Sequence, residues 1–227
     1  MSFSSVTNLD SERKPRQLPK RPLNATEIRV LGCLMEKQMA TPEYYPLTVN
    51  ALVAACNQKS NREPVMELSD DDIQRALDRM QDEKLVWKVM GGRAVRYDHN
   101  LDLQWQLDRR TKALLTLLFL RGAQTAGELR GRSDRLHSFE SVGEVEETLQ
   151  WMASSSEPLA RELPRRPGQK ESRWAHLLGG VPVIEEEPTE SAHAASSEPL
   201  SVRVHRLEER IVAIETELRE LKAKLGE

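Results

Sequence analysis

One ordering of secondary-structure signals occurs twice in this chain, and a repeat of that kind leaves few folds open. Asn24 followed by Glu27 forms a capping box, after which Ile28, Leu31, Met35 and Met39 recur at helical spacing. Asp108 opens a second such helix, carrying Leu114, Leu115, Leu117, Leu118, Phe119 and Leu120. A short helix comes next in each half, over residues 48–52 and 125–129. A third helix is capped by Ser69, with Ile73, Ala76, Leu77 and Met80 inward. Its counterpart is capped by Ser141, with Val145, Thr148, Leu149 and Met152 inward. Each third helix runs into a hairpin. The first has strands over residues 85–90 and 93–97 about a Gly91-Gly92 turn. The second has strands over 159–163 and 171–177 about a turn through 164–169. The returning strands share a pattern, Arg96-Tyr-Asp-His99 and Arg173-Trp-Ala-His176.

Three helices followed by a β-hairpin is the order of a winged helix, in which helices two and three form the helix-turn-helix pair and the hairpin is the wing. The expected architecture is mainly α with small β-hairpins. Two tandem winged-helix domains, at residues 23–104 and 105–180, precede a C-terminal coiled-coil helix at 201–227. A basic arm at 1–22, with Pro15, Pro19 and Pro22 and no apolar periodicity, reads as disordered. Residues 181–200 hold five glutamates and no basic group and read as an acidic linker. Units of this size are small for a free-standing core, so the two are expected to pack together. The first helix of the second unit, apolar nearly all round, is the expected contact.

Composition narrows the functional classes. No apolar run approaches the ~18 residues that span a bilayer, and residues 1–21 lack the apolar core of a secretory signal. A cytoplasmic protein without a membrane is expected. Cys33 and Cys56 are too few for a disulfide framework or a four-cysteine zinc site and read as small buried apolar residues. The five histidines show no metal-ligand spacing, and neither a P-loop nor a GxGxxG is present. No cofactor, no metal and no catalytic constellation is expected, so the chain reads as a non-enzyme.

The stretches Leu31-Gly-Cys-Leu-Met-Glu-Lys37, Thr41-Pro-Glu-Tyr-Tyr-Pro-Leu47, Asn50-Ala-Leu52 and Ala55-Cys-Asn-Gln-Lys-Ser-Asn-Arg-Glu-Pro-Val-Met66 resemble the signature of the YceH-like proteins of proteobacteria. Leu120-Arg-Gly-Ala-Gln-Thr125, Gly127-Glu-Leu-Arg130, Pro167-Gly168 and Glu171-Ser-Arg-Trp174 fit the same family. The resemblance covers residues 23–178. It implies a cytosolic tandem winged-helix protein and supplies no biochemical activity.

From Val204 the apolar residues step 3 and 4 in alternation: Val204, Leu207, Ile211, Ile214, Leu218, Leu221 and Leu225. That is a coiled-coil seam. In a parallel pair Arg203 would face Glu208, Arg210 would face Glu215 and Glu217 would face Lys222. All three pairs are attractive, so a homodimer is expected.

Duplex DNA is the natural partner of a winged helix, and phosphate neutralisation supplies most nonspecific affinity. Net charge is only -3, and both third helices begin with acid: Asp70, Asp71 and Asp72 in one, Glu144, Glu146 and Glu147 in the other. The candidate DNA contacts are therefore spread over several elements. They are Lys59 and Arg62 in the turn between helices two and three, and Arg75 and Arg79 on the first third helix. Arg130, Arg132 and Arg135 surround the second short helix, joined there by Arg121. Arg165, Arg166, Lys170 and Arg173 lie on the second wing, with Arg161. The expected function is that of a DNA-binding, regulator-like dimer. The alternative is a protein-interaction adaptor that uses the acidic third-helix faces. The polar segment 56–62 admits a contact role or a structural one.

Overall fold

The computed structural model describes residues 16–90, 94–165 and 168–180. Within them the protein is mainly helical with two small antiparallel sheets. Helix α1 (Ala25–Ala40) leads through a single 3-10 turn (Pro42–Tyr44) to α2 (Val49–Cys56) and α3 (Asp70–Asp82). Strands β1 (Val86–Met90) and β2 (Val95–His99) close the first repeat, and a short helix α4 (Leu101–Gln104) links it to the second. The order then recurs as α5 (Arg109–Arg121), α6 (Ala126–Ser133), α7 (Val142–Ser154), β3 (Ala160–Leu163) and β4 (Arg173–His176). No helix among these residues is long and apolar enough to cross a membrane.

Six helices start where a side-chain oxygen meets an orphan backbone N–H. Asn24 and Glu27, Ser69 and Asp72, and Thr125 and Glu128 form reciprocal capping boxes. Thr48, Asp108 and Ser141 accept from Ala51, Thr111 and Glu144. The hairpins pair in register, Val86 opposite His99 and Ala160 opposite His176. Each returning strand also bridges back to the residue just before the second helix, Leu47 to Tyr97 and Gln124 to Trp174. The flanking arginine repeats its bond too. Arg96 donates to the Pro46 carbonyl and Arg173 to the Ala123 carbonyl, each at 2.7 Å. The shared Arg-aromatic-x-His pattern is thus one local geometry built twice.

A continuous apolar core runs through both repeats. Its centre is the packing of α1 on α5. Nine consecutive residues of α1, Glu27 to Met35, and ten of α5, Thr111 to Leu120, are buried. A helix buried all round needs neighbours on every side, and α5 finds them in α1, α6, α7 and β4. Gly32 permits the close approach, because a methyl group there would fall 2.8 Å from Leu120 Cδ2 and 3.1 Å from Phe119 Cβ.

Among the differences from the sequence expectation, three bear on how the elements are placed. The first returning strand occupies Val95–His99 rather than residues 93–97, because the bridge at Tyr97 and the buried ring of His99 fix its far end. Helix α4 was not foreseen; its four residues are too few to show a period, and buried Leu101 and Trp105 anchor it. The basic arm does not stay disordered as far as residue 22. Arg16 is buried, donating to the carbonyls of Trp105 at 2.9 Å and Glu157 at 3.0 Å, with its guanidinium 4.7 Å above the Trp151 ring. Gln17 donates to Gln104 O and accepts from the Trp105 indole. Arg21 pairs with wholly buried Glu27 at 2.7 Å and with Glu83 at 3.1 Å. These partners lie in both repeats, and no local pattern in residues 16–22 announces them. The remainder of the arm (1–15), the acidic linker 181–200 and the seam from Val204 to Leu225 lie outside the described residues.

Candidate nucleic-acid interface

Helix α3 presents Asp70, Asp71 and Asp72 at its exposed start. The nearby cation Arg75 is held by Asp72 at 2.6 Å, and Gln74 donates to Asp78 at 2.8 Å. Only Arg79 stands exposed there without an ion pair among the described residues. Helix α7 carries no Lys or Arg at all. Both third helices therefore oppose a phosphate backbone at the ends that a major-groove reader would use.

The polar segment 56–62 divides its duties. Asn57 locks the turn by donating to the Leu68 carbonyl and accepting from the Leu68 N–H, both at 2.8 Å. The buried Arg29 guanidinium donates to Cys56 O at 3.0 Å and Pro64 O at 2.6 Å. Arg62 must be removed from the DNA contacts. Its side chain is wholly buried, forked onto Glu36 at 3.1 and 2.6 Å and bonded to Ala55 O at 3.0 Å. A buried guanidinium needs such a partner set, and releasing it to a phosphate would strand Glu36. What remains available is Lys59, exposed, and the side chains of Gln58 and Ser60.

On the second repeat Arg173 is likewise committed, to Glu128 at 3.0 Å and to the strand bridge. Arg132 donates to Gln124 at 2.7 Å and lies 3.6 Å from Glu128. Arg130 is exposed and donates to the Glu140 carbonyl at 3.1 Å. Arg161, Arg165 and Lys170 are exposed on the second hairpin and its turn and make no ion pair among the described residues. Glu162 and Glu171 are the acids beside them. Arg166 lies outside the described residues.

A cleft of about 1070 Å³ opens between the repeats, bounded by the end of α1, the α2–α3 turn, the end of α5 and α6 with its following turn. It gathers Lys37, Arg121, Arg132 and Arg135 over a floor that includes Leu120 and Leu136. Lys37 was not singled out from the sequence. Nothing local marks it, because the other cations of the cleft come from the second repeat. Burial, then the nearby charge of Arg132, pushes the Arg121 guanidinium below its usual range. A second cavity of about 580 Å³ is bounded by Asp102, Asp108, Arg110, Glu147 and Trp151 and has the opposite character.

The two cysteines and His99 are buried, and His176, at the matching strand end, is half-buried. Cys33 and Cys56 are both fully buried, and contact with Cys33 together with burial pushes the Cys56 thiol far up. Burial, with Lys112 nearby, lowers His99 to about 3; burial lowers His176 to about 4. His99 Nε2 lies 3.0 Å from Gln38 Oε1, and its Nδ1 accepts from the Leu101 N–H at 3.3 Å. No group of three His, Cys, Asp or Glu side chains among the described residues is placed to hold a metal ion.

Comparison with known proteins places this geometry in a broad bacterial set. A family profile described as "Protein of unknown function, DUF480" matches residues 23–169. A UPF0502 protein of Geobacter metallireducens is 48% identical over 197 residues, 86% of this chain and 88% of that one. One from Chromobacterium violaceum is 46% identical over 203 residues, 88% of each chain. One from Enterobacter sp. strain 638 is 43% identical over 217 residues, 92% of this chain and all of its own.

Proposed function

The chain belongs to the DUF480 family of proteins of unknown function, and from that premise we propose that it is a tandem winged-helix protein that binds duplex DNA without catalysis. It acts in the cytoplasm as a homodimer joined by the seam from Val204 to Leu225. The observation that carries the reading is the second wing, where Arg161, Arg165 and Lys170 stand exposed and unpaired among the described residues. The mode differs from insertion of helix three. The acids at the starts of α3 and α7 repel phosphate, so the wing lies along the backbone and Arg130 and Lys59 add contacts. Such binding rests on charge and carries little sequence preference.

Titration of the intact protein with random duplex DNA across a salt series tests this. Affinity is expected to fall steeply with salt. Arg161→Glu combined with Arg165→Glu should weaken binding about tenfold or more and flatten the salt slope by roughly two. Truncation after Leu200 should lower affinity by removing the second binding unit. Salt-independent binding, or none to any duplex, sinks the reading.

A second reading has its own observation. The first wing exposes Trp87, Met90 and Val95, with Met90 84% exposed and paired with Val95 across the strands. An apolar wing suits a protein partner better than phosphate, which favours an adaptor role for the first repeat. Pull-down after nuclease treatment, repeated with Met90→Lys, tests it. Loss of a stoichiometric partner in the variant supports the adaptor role, and equal recovery removes it.

A further inference from the structure

We propose that the cleft between the two repeats is a binding site for a small polyanion of the nucleotide type, a compact body bearing two or more phosphates. The inference does not depend on DNA binding, since the wing that carries that reading takes no part in the cleft.

The charge balance of the lining is the first argument. Lys37, Arg121, Arg132 and Arg135 approach from three elements in both repeats. The acids in the lining are Glu36 and Asp134. Glu36 is already forked by Arg62, with Lys37 only a distant 3.6 Å neighbour. Arg121 and Arg135 have no ion pair among the described residues. Arg121 donates instead to Asn61 Oδ1. The result is a cation excess inside a concavity, where low-dielectric walls strengthen the field. The lowered Arg121 guanidinium fits the same crowding: burial, then Arg132, with Arg62 behind it, disfavour its charge against the opposite pull of Glu63 and Glu128. A bound anion would relieve that unfavourable state, and a multiply charged one would relieve it at several cations together.

Shape is the second argument. At about 1070 Å³ the cleft is slightly larger than most small-molecule sites, which run roughly 300–1,000 Å³. A duplex backbone meets convex cations such as those of the second wing; it does not enter a cleft of this size. Leu120 and Leu136 line its base but are only 2% and 4% exposed, while Gln58 and Ser60 on the facing turn supply neutral hydrogen-bonding groups. Neutral hydrogen-bonding groups and several cations, in a volume far beyond that of one phosphate, match a nucleoside polyphosphate better than inorganic phosphate alone.

The position of the site adds a consequence. Glu63 donates its N–H to Leu120 O at 2.8 Å, so the α2–α3 turn of one repeat is fastened to α5 of the other beside the cleft. A ligand that engages Arg121 together with Ser60 would strengthen that seam.

Isothermal titration of the full chain with ATP, inorganic triphosphate and adenosine, at fixed ionic strength, tests the proposal. ATP and triphosphate should each saturate a single site per chain. ATP should bind the tighter of the two, and adenosine should bind weakest. Arg121→Gln and Arg135→Gln should each weaken triphosphate by about tenfold, with far-ultraviolet circular dichroism confirming the fold. Arg135 is exposed, so its variant stands as the safeguard should Arg121→Gln misfold. Arg161→Glu with Arg165→Glu should leave triphosphate affinity unchanged even as duplex affinity falls. Three results would each overturn the inference: no saturable binding by ATP or triphosphate, affinity indifferent to Arg135→Gln, or displacement of triphosphate by duplex DNA in stoichiometric competition.

Discussion

The two repeats share a skeleton and almost nothing of their surfaces. In both, a capped helix leads to a short helix preceded by a strand bridge, and a hairpin returns through an arginine that holds the carbonyl before that bridge. Around that common frame the exposed hairpins diverge. The first displays Trp87, Met90 and Val95; the second displays Arg161, Arg165 and Lys170. The leading helices diverge as well: α5 is buried through ten consecutive residues, whereas the last five residues of α1, from Glu36 to Ala40, are not buried. Backbone capping and strand bridging are local chemistry, so a repeat can preserve them while its outward side chains are free to take on separate tasks.

Acid tests the histidines that occupy equivalent ends of the two returning strands, and its effect is the largest expected. His99 is buried and His176 half-buried with its Nδ1 shut off from solvent, and loss of hydration lowers the first to about 3 and the second to about 4. An unfolded histidine titrates near 6.5, so below that pH the unfolded chain binds protons that the native chain refuses. Their contribution is therefore whole above pH 6.5 and shrinks as pH falls toward 4. Each histidine should cost up to about 1.4 kcal/mol of stability per pH unit in that window. Denaturant midpoints measured from pH 7 to pH 4 should fall, and His99→Phe with His176→Phe together should flatten the slope. A slope unchanged in the double variant would refute the assignment.

Packing between the repeats is the next test. Gly32→Val places branched carbons against Leu120 and Phe119, which are backed by a full core and have little room to retreat. Overpacking of this kind costs about 1–3 kcal/mol, read as a lowered denaturant midpoint. If the repeats were loosely joined, the cost would vanish.

Much of this frame is legible from sequence, and the reasons are local. A capping box spans four residues, as in Asn24–Glu27, and an apolar stripe such as Ile73, Ala76, Leu77 and Met80 shows its period within three turns. The exposed cations of the second hairpin could likewise be named from its strand and turn. The cleft could not be. Lys37 and Arg135 are nearly a hundred positions apart and meet only because α1 packs on α5. Arg62 misleads for the same reason: read alone it is a basic residue in a polar turn, and its engagement by Glu36 depends on how α1 lies beside that turn. Arg16 shows the limit most plainly, since a Pro-rich basic stretch has the composition of a disordered arm and yet is tied to Trp105 and Glu157. Arg16→Ala should cost about 1–3 kcal/mol, because it leaves two carbonyls short of a charged donor. Thermal unfolding of the variant checks this, and an unchanged midpoint would return residues 16–22 to the disordered arm.

The equivalent histidines also give the finest comparison, in which partners rather than burial decide. At neutral pH His99→Phe leaves the Gln38 amide oxygen and the Leu101 N–H without the ring nitrogens they now face, a loss of about 1–2 kcal/mol. His176 differs, because its buried Nδ1 has no partner among the described residues and its ring stacks edge-on against Phe119 at 4.9 Å. His176→Phe keeps the aromatic contact and removes an unsatisfied nitrogen, so its stability at pH 7 should stay within about 0.5 kcal/mol of the parent or rise slightly. Equal losses for the two variants would mean that burial alone sets the worth of this position. Unequal losses in the stated order would show that the repeats conserve a ring at this site and not its hydrogen bonds.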